Sequence, residues 1–184
     1  MMNAAHLHLV LNHVPVIGTA IAIFVLLIGI LKKSDDVKKV SVLILILTAL
    51  ITIPVYLTGD KAQEKIEGNY EDVDEEYIDS HEDFALYSFI AMDIAGAVGL
   101  IAVFLFRKPK IMPNSFAFLM LALLLIVNGM MAYTANLGGR IHHPEIREDK
   151  LPWESSVNPG TESISNDNAD KKDKKEKEDK DDDD

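Results

Sequence analysis

The stretch Val14–Leu31, VPVIGTAIAIFVLLIGIL, holds no charged residue and a single hydroxyl, that of Thr19. It approaches the ~20 residues with which an α-helix crosses a hydrocarbon layer of about 30 Å. Three further runs match it: Val40–Leu57, Phe84–Phe106 and Phe116–Ala135. None alternates with period two, and all exceed the length of a barrel strand. Lipid offers the backbone no hydrogen-bond partners, so each run is expected to be a helix. The reading is an all-α membrane protein, a four-transmembrane-helix antiparallel bundle with helices over about 4–31, 40–57, 82–106 and 113–136.

The remaining sequence is polar and blocked. Of 184 residues, 48% are hydrophobic and 26% charged, and 22 of the 29 acids fall within 59–82 and 151–184. Residues 1–150 form the membrane domain. The tail, 151–184, ends in KKDKKEKEDKDDDD and has no apolar periodicity to offset the entropy of ordering it, so it is expected to be disordered. Without cysteine there is no disulfide, thiolate zinc site, cysteine-held iron–sulfur cluster or thioether-linked haem. A net charge of −11 argues against nucleic acid as a partner.

Orientation follows from the connections. Lys32–Lys39 carries four Lys against two Asp, and Arg107–Lys110 holds Arg107, Lys108 and Lys110. Residues 59–82 carry ten acids and two Lys. The positive-inside rule puts the first and third connections in the cytoplasm of a bacterial inner membrane, with both termini and the acidic connection outside. No basic residue precedes Lys32, so the first helix is expected to remain as a span rather than be cleaved as a signal peptide. Pro15 invites a break beside His13.

All six histidines then belong to the outer side: His6, His8 and His13 on span one, His81 at the start of span three, and His142 and His143 after span four. Imidazole is a common metal ligand, and paired histidines hold b-type haem. His13 and His81 form the leading axial pair, and His8 with His143 a second, with His142 as a further ligand. The blander alternatives are interfacial contacts for His6, a solvated turn for His142 and His143, and helix-fixing hydrogen bonds for His13 and His81. Gly138-Gly139 reads as the stop of helix four.

The segment from His8 through Asn12-His13 to Pro15 resembles the opening of an uncharacterised group of four-helix bacterial membrane proteins. Those proteins also place Gly after helix two, His at the start of helix three and Gly-Gly with a nearby His after helix four, which Gly59, His81, Gly138-Gly139 and His142 or His143 match. Members are sometimes fused to Rieske domains, so the resemblance implies a redox setting. Val14 and Leu9 depart from the group's usual residues, and no Rieske domain accompanies this chain.

Within the spans, Asp93 falls near the bilayer midplane, where a carboxylate must be paired or protonated. It is expected to face the interior, with Asn128, Thr48 or Thr52 as partner, in a packing role or as a proton relay. Ala91, Ala95 and Gly99 form a small-residue stripe for close packing. Met130 and Met131 read as core filler rather than copper ligands. The acidic connection is a solvated outer loop or a steering surface for a basic periplasmic cytochrome. Together these residues suggest an electron-transfer subunit holding haem b, working with a membrane redox complex or as a homo-oligomer. The rivals are a cofactor-free anchoring subunit and a copper- or zinc-handling protein. No nucleophile–base set or phosphate loop points to an enzyme.

Overall fold

A computed structural model describes residues 3–67, 75–107, 110–143 and 146. The chain forms helices α1 (Ala4–Leu11), α2 (Val14–Leu31), α3 (Asp35–Leu57), α4 (Gly59–Glu67), α5 (Glu75–Leu105) and α6 (Asn114–His142), with no strand among the described residues. Residues 151–184, expected to be disordered, lie outside the described residues.

Asn3 starts α1 by accepting a hydrogen bond from the His6 amide at 2.9 Å. The break beside His13 is present: Asn12 and His13 interrupt the helix and Pro15 sits in the first turn of α2, where its missing N–H is harmless. Lys33, with φ of 51°, terminates α2. The Ser34 amide reaches back to Gly29 O at 2.9 Å and the Lys33 amide to Ile30 O at 3.1 Å, a Schellman closure with Lys in glycine's usual place. Ser34 then caps α3, which begins at Asp35. The second span therefore starts five residues earlier than its apolar run, because capping rather than hydropathy sets the end of a helix.

Four spans of 28 to 31 residues result, with α1 and α2 sharing the first. Span α2 packs on α3, α3 on α5, α5 on α6, and α6 back on α2, which closes an antiparallel ring. Ala22, Leu26, Leu45, Met92, Met120 and Leu124 fill its centre. Outside, Phe24, Leu119 and Ile126 remain 62–65% exposed. A water-soluble bundle would place polar residues there. This is a multi-pass membrane protein.

At the end carrying the basic connections, Asp35 accepts a hydrogen bond from the Met112 amide at 2.7 Å and pairs with Lys39. Lys38, only 3% exposed, donates to Met112 O at 3.2 Å and Asn114 Oδ1 at 2.7 Å. Its backbone presses on Gly29: a β-carbon there would lie 2.8 Å from the Lys38 nitrogen.

Two expectations need correction. Gly138-Gly139 does not stop the last helix, because α6 continues through both glycines to His142. The acidic segment is not simply a loop: residues 59–67 form α4, and α5 begins at residue 75. The acids of these helices project outward, as at Glu64, Glu76 and Asp79, while Ala62 and Ile78 turn inward. The charges masked an amphipathic helix.

Candidate site at the histidine end of the bundle

The opposite end of the bundle is hollow. The break between α1 and α2, the end of α3, helix α4, the start of α5 and the end of α6 surround a cavity of about 380 Å³. Pockets of some 300–1,000 Å³ commonly hold small ligands and cofactors. Pro15, Val16, Ala85 and Met131 line its floor and sides. Tyr56 and Phe89 add a wall of two rings stacked 4.4 Å apart.

His8, His13, His81 and His143 all line this space. They differ in what holds them. His8 and His81 are partly buried, whereas His13 and His143 are exposed. His13 occupies the cap position of α2 without a side-chain capping bond. His6 is exposed and outside the cavity lining, and for His142 only the backbone, the last residue of α6, is described. Of the leading pair expected from sequence, His13 and His81, both line the cavity, but only His81 is held by a hydrogen bond to a carbonyl. His8 is the ring held as His81 is held, because the turn at Asn12-His13 carries His13 to the rim while α1 lays His8 against α3.

The two held rings are anchored alike. His8 Nδ1 lies 2.9 Å from Val55 O, and His81 Nδ1 lies 3.0 Å from Thr134 O. A carbonyl oxygen only accepts, so Nδ1 carries the hydrogen in each ring, and a neutral ring keeps its lone pair on Nε2. Each carbonyl has a glycine four residues further along the chain: Gly59 after Val55, Gly138 after Thr134. The His81 ring lies across Gly138, where a side chain would press on it, whereas Gly59 leaves ordinary space beside His8. A β-carbon on Gly138 would lie 3.0 Å from His81 Cε1, and one on Gly59 would lie 3.8 Å from His8 Cε1. The space above Gly138 is thus filled by His81, not left for a flat ligand. A further bond secures the second anchor, as Ser88 Oγ and Thr134 Oγ1 lie 2.7 Å apart and Thr134 also donates to Met130 O.

This likeness extends through the bundle. His81 follows His8 by 73 residues, and Gly138 follows Gly59 by 79, as Thr134 follows Val55. With the first offset, buried Pro15, Thr19, Ala22, Leu26 and Gly29 of α2 correspond to Ser88, Met92, Ala95, Gly99 and Ala102 of α5, all buried. With the second, Ser41, Leu45, Thr48 and Thr52 correspond to Met120, Leu124, Val127 and Met131, again all buried. Exchanging the two hairpins maps the ring of helix contacts onto itself. Each hairpin contributes one imidazole from its first helix and one carbonyl and glycine from its second.

Asn12 also lines the cavity, and its buried Oδ1 has no hydrogen-bond partner among the described residues. Sequence reasoning missed Asn12, Ser88, Thr134 and the two carbonyls. Ser88 lies seven residues from His81, on the same helical face, which was the available signal.

The intramembrane polar residues also differ from expectation. Asn128 donates to Thr19 Oγ1 at 2.8 Å and Val16 O at 3.0 Å, tying α6 to α2. Thr48 and Thr52 bond back to Ile44 O and Thr48 O of their own helix. Asp93 meets none of them and has no hydrogen bond to any described residue. It is half-buried at the edge of the outward face of α5, beside exposed Ile90 and Ala97, whereas Ala95 and Gly99 of the small-residue stripe are buried.

Comparison of the chain with protein-family models, with curated proteins and with solved structures finds no match.

Proposed function

We propose that this protein is an electron-transfer subunit of a bacterial inner membrane that holds one b-type haem between His8 and His81. The observation that carries the reading is the matched anchoring of the two imidazoles. Metal-ligating histidines typically donate the remote ring N–H to a carbonyl or carboxylate, which fixes the tautomer and raises the basicity of the ligating nitrogen. His8 and His81 both do this, with Val55 O and Thr134 O, and both line the same cavity. Haem held by two protein nitrogens supplies one-electron transfer without leaving a site for substrate.

The chain's own residues supply the rest. Gly138 lets the His81 ring lie on α6, Ser88 and Thr134 secure that anchor, and Tyr56 and Phe89 wall the cavity. Haem iron asks the protein for only two ligands.

By the charge asymmetry of its connections, the histidine end faces the periplasm and both termini lie outside. The acids around 59–82 would then steer a basic periplasmic cytochrome toward the cavity, an effect that salt screens over about 8–10 Å. The resemblance of the His8–Pro15 segment to a membrane family with Rieske-fused members agrees with this redox setting.

The deciding measurement is a reduced-minus-oxidised optical spectrum of the full chain, purified in detergent from haem-replete cells. The expected result is the sharp α-band of six-coordinate low-spin haem, at one haem per chain. A folded protein without haem bands overturns the reading and leaves an anchoring subunit.

A further inference from the structure

We infer that the outward face of α5 around Asp93 is where a second copy of this chain docks, with the two Asp93 carboxyl groups hydrogen-bonded across a two-fold axis. Asp93 lies well inside the apolar run of α5: it stands nine residues from Phe84 and twelve from Leu105, about 14 and 18 Å along the helix. It is out of reach of the bundle's own polar groups. Deep in the spans, Thr19, Ser41, Thr48, Thr52, Ser88, Asn128 and Thr134 each have a hydrogen-bond partner inside the bundle, and Asp93 has none among the described residues.

Its surroundings on α5 face outward. Leu86, Ile90 and Leu100, at helical spacings from Asp93, are 40%, 46% and 49% exposed, and Ala97, one turn on, is exposed too. A carboxyl group on the lipid face of an apolar helix is disfavoured unless a partner meets it there. A neutral carboxylic acid both donates and accepts, so an identical group at the same depth can satisfy it through two hydrogen bonds. Copies of one chain insert with the same topology. Their two-fold axis therefore lies along the membrane normal, and identical residues meet at identical depth. Ala97 is small enough to let the two helices come close.

The chain lacks cysteine, so introduced thiols report without background. Full-length protein carrying Ala97→Cys, oxidised in native membranes, is expected to give an adduct of twice the chain's mass. The same experiment with Ile126→Cys, on the lipid face of α6, should give little. Adding Asp93→Leu should weaken the Ala97→Cys dimer about tenfold, the scale of one to two hydrogen bonds in lipid. Adding Asp93→Asn, which pairs with itself through its amide, should preserve it. Equal cross-linking at positions 97 and 126, an Ala97→Cys adduct to a different protein, or an Asp93→Leu dimer as strong as the parent overturns the proposal. So does an Asp93→Asn variant that fails as Asp93→Leu does.

Discussion

The two ends of this bundle solve the same problem in opposite ways. Both bring polar groups together where four helices terminate. At the end with the basic connections, Lys38 donates to Asn114 and Met112 O, while Asp35 accepts from the Met112 amide and pairs with Lys39. At the other end, His8 and His81 satisfy one nitrogen each and leave the second over a cavity of about 380 Å³. A closed polar network holds helices in register. A half-satisfied one, mounted on rigid helices, is what a ligand site requires.

Six substitutions test that contrast. His8→Ala and His81→Ala should each abolish the low-spin haem spectrum, and to the same degree, because the two rings are anchored alike. A variant that retains the spectrum breaks the contrast. Gly138→Ala and Gly59→Ala then separate the two anchors. A β-carbon at 138 lies 3.0 Å from a ring held at Nδ1, so haem affinity in titration should fall some 10- to 100-fold, as for other groups that orient a metal ligand. At 59 the contact is an ordinary 3.8 Å, and affinity should hardly change.

At the closed end, Lys38→Ala leaves Met112 O and Asn114 Oδ1 without their donor. Unfolding in detergent should show a loss of about 1–3 kcal/mol per unsatisfied group, with the haem spectrum unaltered. The last substitution has the opposite sign. Lys33 holds a φ of 51° that glycine adopts without steric cost, so Lys33→Gly should stabilise the protein by up to about 1 kcal/mol.

Much of this architecture was legible beforehand. The runs from Val14, Val40, Phe84 and Phe116 each became the body of a span, because solvation in lipid is decided residue by residue and survives in composition. What composition could not convey was helix without hydrophobicity: α4 is acidic, the first turn of α3 is charged, and α6 carries two glycines that hydropathy reads as a stop. Helical continuity there rests on neighbouring contacts and caps. Asp93 was misplaced for a related reason. Its depth follows from counting residues, but the direction it faces depends on how α5 is rotated in the bundle.

The sequence alone determined a four-span membrane helix bundle, its charge asymmetry, and a set of histidines confined to one end, since each is a property of residues within a turn or two of one another. Tertiary structure decided which histidines are held by carbonyls over the cavity. His8 and His81 find their carbonyls 47 and 53 residues away, on helices whose rotation fixes what each ring can touch. The near-repeat of one hairpin by the other appears only when burial is compared position by position, because packing preserves shape and polarity at a site while the amino acids that supply them change.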